Sequence, residues 1–324
     1  MTARARVPEN QDELLEYRLS LRLGPVHARQ RLGIEREAEA LVFGQDHRSF
    51  HLENLASAPG FIRFCLKMAG LFRRGQDNSR RLDVAQNRFH LPDLPEAFDG
   101  FRILHLTDLH VDMDEANLQA VMHRIEPLEY DLCVLTGDYR KQTWGPVDAA
   151  LNGMERLRKR IRGPAFAILG NHDSIRMLPA LEDMGYNLLM NEMLPVERNG
   201  EQIYLAGVDD AHFYKAHNLH QAGNDIPLGG VSILLSHTPE IWREAAHAGY
   251  DVFLCGHTHG GQICLPGGIP VTLDSDCPRR LGRGYWTVNG MQGYTSPGAG
   301  TSVVNVRLNC PPEVTIHTLT RGPQ

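Results

Sequence analysis

Five short strings in this 324-residue chain place metal-binding side chains directly after apolar runs. "RILHL" (102–106) is followed by Asp108 and His110 in "TDLH", and "LCVLT" (132–136) by Asp138 in "TGDY". "AFAIL" (165–169) leads to Asn171, His172 and Asp173 in "GNHD". "SILLS" (232–236) is followed by His237, and "VFLC" (252–255) by His257 and His259 in "CGHTHGGQ". Carboxylates, imidazoles and amide oxygens are donors for divalent cations. Taken singly the strings say little: Asp-x-His is most often a turn, and Gly-Asp is nearly uninformative. The ordered set says more. In an open α/β sheet the carboxyl ends of the strands share one crevice, so residues far apart in sequence converge there.

Such convergence needs strands and crossovers. Helix-like stretches at 114–129, 147–161, 174–184 and 239–248 alternate with the apolar runs, which implies βαβ units whose strands are covered on both faces. A further run, "IYLAGV" (203–208), ends in "GVDD", where Asp209 and Asp210 suit fixing a loop or a histidine better than binding metal. Asn199-Gly200 reads as a hairpin turn, so the sheet is mixed. After residue 284 the strings "GYWTV", "GYTS", "SVVNVRL" and "EVTIHTL" predict a second, more antiparallel layer. The expected class is α/β to α+β, with two mixed β-sheets sandwiched between helices.

Composition narrows the function classes. The formal net charge is −6, whereas a generic nucleic-acid binder is basic. Residues 1–98 carry 15 Lys and Arg against 13 Asp and Glu, a net of +2, which leaves −8 for residues 99–324. The N-terminal stretch has no apolar h-region, and no run reaches membrane-spanning length. Six cysteines (65, 133, 255, 264, 277 and 310) show no Cys-x-x-Cys pairing, which fits a reducing cytoplasm. Two domains are expected: residues 1–98 as a helical, basic extension and linker, with "GQDNSRR" (75–81) as linker, and residues 99–324 as the catalytic domain.

The order Asp108-x-His110, Gly137-Asp138, Gly170-Asn171-His172-Asp173, His237 and Gly256-His257-x-His259 resembles the calcineurin-like metallophosphoesterase superfamily. "GVDD", "GHTHGGQ" and the tail "YTSPGAGTSVVNVRLNCPPEVTIHTL" resemble its YaeI/LpxG-like bacterial branch. The resemblance implies that fold and two divalent metal ions. It implies hydrolysis of a phosphodiester or pyrophosphate bond by metal-bound hydroxide, on a small substrate or a lipid-linked one such as UDP-diacylglucosamine. It implies that Asp108, His110 and His259 complete one metal site, that Asn171, His237 and His257 complete the other, and that Asp138 bridges them. Two dications about 3.5 Å apart repel by roughly 19 kcal/mol at an effective dielectric of about 20, so a bridging anion is required. The mixed donor set suits Mn, Fe or Zn rather than Ca. His172 is implied to protonate the leaving oxygen, oriented by Asp173; bracing Asn171 is the alternative role.

Several features stay open at this level. Arg140 and Lys141 either contact phosphate or form a solvated basic pair. His212, His217 and His220 either line the substrate pocket or are exposed loop residues. "GDYRKQT" departs from the "GDxxDRG" of protein Ser/Thr phosphatases, which argues against a phosphoprotein substrate. "FIRFCLKMAGLFRR" (61–74) is drawn as a helix with Arg63, Lys67, Gly70 and Arg74 within about 60° of one another. It either packs on the core or lies in an anionic membrane interface, which would make the protein peripheral on the inner membrane. The competing functions are a nuclease or nucleotide phosphodiesterase of the same superfamily, which the acidic core disfavours, and a non-enzymatic scaffold, which the filled ligand positions disfavour.

Overall fold

The computed structural model describes residues 10–43 and 58–322. It opens with α1 (Gln11–Leu23), α2 (Pro25–Phe43), α3 (Ala58–Met68) and α4 (Phe72–Ser79), followed by β1 (Asp83–Leu91) and β2 (Arg102–Leu106). Alternation follows: α5 (Glu115–Ile125), β3 (Leu132–Leu135), α6 (Asp148–Arg158), β4 (Ala165–Ala167), α7 (Leu178–Asp183) and β5 (Asn187–Leu188). The second half contains β6 (Glu192–Arg198), β7 (Glu201–Gly207), α8 (Leu219–Gly223), β8 (Ser232–Leu235), α9 (Trp242–Ala248) and β9 (Val252–Cys255). It closes with β10 (Cys264–Leu265), β11 (Ile269–Pro270), β12 (Gly284–Val288), β13 (Met291–Thr295) and β14 (Glu313–Arg321).

Two six-stranded sheets result, ordered β1-β14-β2-β3-β4-β5 and β12-β13-β9-β8-β7-β6. Both are mixed: β2, β3, β4 and β5 are parallel neighbours, while β14 runs antiparallel to β2 and parallel to β1. Period-two alternation sorts the side chains. On β2, Ile103 joins the apolar layer between the sheets, while Leu104 and Leu106 join the layer under α1, α2, α5, α6 and α7. On β9, Val252 and Leu254 enter the same central layer, while Phe253 and Cys255 face Ala222 of α8 and Ala245 of α9. Central strands buried on both faces therefore read as unbroken apolar runs. Asn199 (φ 52°) and Gly200 (φ 82°) form the β6–β7 turn, and Asn289 (φ 49°) and Gly290 (φ 89°) repeat it between β12 and β13.

Four expectations are corrected. Residues 75–81 are not a linker: most of "GQDNSRR" lies in α4, which is tied down by Asn78 donating to Arg307 O at 3.1 Å and Arg307 N donating to Gly75 O at 2.8 Å. The 61–74 helix breaks at Gly70 (φ 69°) into α3 and α4. "SVVNVRL" is irregular rather than a strand; Val304, Val306 and Leu308 pack on Leu66 of α3. Residues 83–91, which the sequence placed in the extension, form the edge strand β1 beside β14.

Candidate metal centre

The loops that follow β2, β3, β4, β8 and β9 meet at one end of the two sheets. They are laced together by main-chain bonds: Asp108 N donates to Gly137 O at 3.1 Å, His110 N to Asp138 O at 3.0 Å and Gly256 N to His237 O at 2.9 Å. Side-chain oxygens add to this, with His257 N donating to Asp108 Oδ2 at 3.0 Å and His172 N to Asp138 Oδ1 at 2.9 Å. The local backbone is unusual. Asp108 (φ 50°), His110 (φ 40°), Asp138 (φ 59°), His257 (φ 69°) and His259 (φ 48°) all lie in the left-handed region. Such positions cost on the order of 1–3 kcal/mol each and persist where the surroundings over-determine them. Gly256 permits the closest approach: a Cβ there would sit 2.2 Å from Thr107 Oγ1 and 2.3 Å from Asp108 Oδ2.

Seven predicted side chains come together in two adjoining groups. In the first, Asp108, His110 and His259 bring their ligand atoms within 4.8 Å of one another. His110 Nε2 is 3.2 Å from His259 Nε2, which is 3.5 Å from Asp108 Oδ1. In the second, Asp138, His237 and His257 meet the same 4.8 Å limit, and Asn171 Oδ1 lies 2.9 Å from His237 Nε2. Asp138 Oδ2 sits between the groups, 3.3 Å from His237 Nε2 and 3.8 Å from His110 Nε2.

These spacings fit a cation pair. Ligands about 2.1 Å from one ion lie roughly 3.0–3.4 Å apart at octahedral or tetrahedral angles. Tautomers are also set: His110 Nδ1 donates to Arg140 O and His237 Nδ1 to Thr136 O, each at 2.7 Å, which turns both Nε2 atoms toward the cluster. Burial would push the Asp138 carboxyl up, but the rings of His237, His172 and His110 outweigh it and hold the group well below the usual carboxylate range. Burial pushes Asp108 up to about 6, with Asp138 adding to it. It also lowers His110 to about 4. His237 goes the other way: burial is overcome by Asp138 and Asp108, and it is pushed up to about 10.

Residues 101–261 match the sequence model of the calcineurin-like phosphoesterase family. A metallophosphoesterase of Bacillus subtilis, YkoQ, is 30% identical over 231 residues, which cover 67% of this chain and 83% of that one. The chain belongs to the calcineurin-like phosphoesterase family. Escherichia coli phosphodiesterase YaeI is 28% identical over 232 residues, covering 67% of this chain and 81% of that protein. A Danio rerio transmembrane protein with a metallophosphoesterase domain is 28% identical over 241 residues, covering 68% of this chain but 54% of its own length, so the chain spans about half of that relative. As a family member the chain is a metal-dependent phosphoester hydrolase.

The candidate site has a floor and a wall. Asp138, His172, His257 and His259 floor a cavity of about 400 Å³, whose sides include Phe61, Ile62, Leu66, Ile263, Val271 and Val304. His172 is buried, edge-on to His110 with ring centroids 5.1 Å apart, and its Nε2 lies 3.9 Å from Asp138 Oδ2. Asp173, expected to orient His172, ties main chain together. Its carboxylate accepts from the backbone amides of Asp138 (2.7 Å), Tyr139 (2.8 Å) and Gly170 (2.9 Å), joining two loops, while Thr143 Oγ1 lies 3.5 Å from His172 Nδ1. Arg140 is neither a solvated cation nor a group free to meet phosphate: buried at 2% exposure, it donates to the carbonyls of His172, Thr143 and Gly145.

Asp209 and Asp210 fix loops, as expected. Asp209 binds His27 and Arg31, and Asp210 accepts from the amides of His212, Phe213 and Tyr214. His212 stands 2.9 Å from Glu240 Oε1 with its ring 4.2 Å from that of His257; His217 lines a separate polar cavity with His27 and Lys215. Sequence reasoning missed Thr143, the Val271 and Val304 walls, and Arg307. Arg307 is fully buried and donates to the carbonyls of His259, Pro297 and Gly300. Thr143, Val304 and Arg307 lie inside strings quoted above, but nothing in those strings says that they reach the site; their contacts there are with residues distant in sequence.

Proposed function

We propose that this phosphoesterase is a dinuclear enzyme that cleaves a phosphodiester or pyrophosphate bond in a substrate with an apolar, lipid-like portion. The position of Asp138 Oδ2 carries the reading: it faces both ligand groups and lines a cavity whose upper side is apolar. In this reading Asp108, His110 and His259 hold one cation, Asn171, His237 and His257 hold the other, and Asp138 is shared. Mn, Fe and Zn suit the donors. When bound, the cation pair supplies an activated water and the positive charge that favours an anionic transition state. Two aspartates offset only part of four positive charges, so the floor attracts an anionic phosphoryl group. His172 Nε2, on the cavity floor, delivers a proton to the leaving oxygen. Arg140 and Asp173 keep that histidine's backbone fixed from two sides.

The apolar side supports the substrate class. Phe61, Phe64 and Met68 of α3 are 67%, 60% and 74% exposed, and Leu265, Ile269 and Val271 stand out from the β10–β11 hairpin. Arg63 and Lys67 lie on α3 among them. An apolar rim with interspersed cations rests naturally on an anionic membrane interface. Among the described residues no helix is long and apolar enough to cross a membrane.

The test pairs metal analysis with turnover. The full chain with two equivalents of Mn²⁺ should hydrolyse bis-p-nitrophenyl phosphate, and should hydrolyse UDP-diacylglucosamine with a KM well below that for a head group lacking acyl chains. Equal KM values for the acylated and bare compounds would remove the lipid reading. Phe64→Glu with Met68→Glu should abolish flotation with anionic liposomes; unchanged flotation removes the membrane contact.

A further inference from the structure

We infer that helix α2, outside the stretch matched to the family, belongs to the catalytic unit, with Arg31 and Glu35 as positioning residues for the loop that carries Asn171 and His172. This rests on the reading of those two residues given above. Arg31 is fully buried and Glu35 is 5% exposed. Arg31 Nη2 donates to Asp173 O at 3.0 Å, Nη1 to Glu35 Oε1 at 2.6 Å and Nε to Asp209 Oδ1 at 3.3 Å. Its guanidinium carbon lies 3.2 Å from the ring centroid of Tyr214. Glu35 in turn accepts from Ser174 Oγ at 2.6 Å and from Ile175 N at 2.7 Å. One ion pair on one helix therefore grips three consecutive residues of the loop directly after His172.

The opposite side of the loop is held from within the site. Asp173 takes the amides of Asp138 and Tyr139, and Arg140 takes the carbonyl of His172. The segment is clamped between the Asp138 loop and α2, with few ways left to move. Burying such ions is costly unless the geometry is tight and every donor is used, and an apolar contact would hold a helix in place at lower cost. A planar guanidinium offers what an apolar contact lacks: fixed directions toward two carboxylates and a carbonyl at once. Asp209 at the end of β7 completes the clamp through His27 Nε2 at 2.8 Å. The helix is thereby referenced to both sheets, which supply the two ligand groups.

Positioning and plain bracing give different results in the full-length protein. In Glu35→Gln and Arg31→Lys, kcat for bis-p-nitrophenyl phosphate should fall about 10- to 100-fold with KM within about 2-fold, as expected for slight misplacement of a reacting group. Mn²⁺ titration of the stripped protein should show one of two ions weakened about 10-fold or more and the other unchanged. In a His172→Ala background with saturating Mn²⁺, Glu35→Gln should lower kcat by clearly less than it does in the wild type. If both variants lose their fold, Ser174→Ala, which removes only the hydroxyl given to Glu35, carries the same comparison at smaller amplitude. Folded variants with wild-type kcat and both Mn²⁺ affinities intact would overturn the inference, as would a loss fully additive with His172→Ala. An inactive wild type sinks the proposed function instead, while the Mn²⁺ titration still reads the loop without any substrate.

Discussion

The floor and the wall of the cavity are built on opposite principles. The floor consists of buried charged and polar side chains, several on left-handed backbone, in loops tied to one another by main-chain bonds; Asp108, Asp138 and His237 are all 0–1% exposed. The wall consists of apolar side chains on a short helix, a two-residue-per-strand hairpin and an irregular segment, with Phe61 67% exposed. A site proposed to hold two mutually repelling cations needs donors fixed to fractions of an ångström. A surface that accommodates an apolar chain needs area and tolerates shape changes. The contrast predicts that damage to the floor destroys turnover on any substrate, whereas damage to the wall changes only which substrate binds.

The sharpest way to break this contrast is Asp138→Asn. Loss of the shared negative charge should lower kcat at least about 10³-fold toward simple and acylated substrates alike, measured by initial rates with saturating Mn²⁺. His172→Ala should cost about 10²–10⁴-fold in kcat while metal analysis still returns two ions per chain; unchanged turnover removes His172 from the chemistry. Gly256→Ala forces a methyl against Thr107 and Asp108, and should cost about 1–3 kcal/mol of stability together with metal affinity, read by denaturant melts of metal-free and metal-loaded protein. On the wall, Ile62→Ser should raise KM about 3- to 10-fold for an acylated substrate and leave bis-p-nitrophenyl phosphate untouched. A kcat loss toward the small diester in that variant would show that floor and wall are not separable.

The same contrast explains what could be read from the sequence. Every floor residue sits within a few positions of an apolar run, so local pattern and strand topology together located Asp108, His110, Asp138, Asn171, His237, His257 and His259. The wall depends on α3 meeting residues 263–272 and 302–304, contacts with no local signature. "SVVNVRL" alternates like a strand, yet its alternation serves α3. Gln262 takes over the bonds a partner strand would make, donating to Ser302 O at 2.8 Å and Val304 O at 3.0 Å and accepting from Ser302 N at 2.8 Å. "GQDNSRR" is polar enough to pass for a linker, but a Cβ on Gly75 would lie 2.8 Å from Val306 Cβ, so the helix packs there because the glycine is bare. Asp173 follows His172 directly, and its carboxylate accepts from the main-chain amides of Asp138, Tyr139 and Gly170.

The central claim is that five strand-end loops hold two cations with Asp138 between them. Anomalous diffraction from Mn²⁺-loaded crystals tests it most directly. The account predicts two peaks about 3.5–4 Å apart, both within coordination distance of the Asp138 carboxylate; a single peak, or two peaks with Asp138 bound to neither, would contradict it.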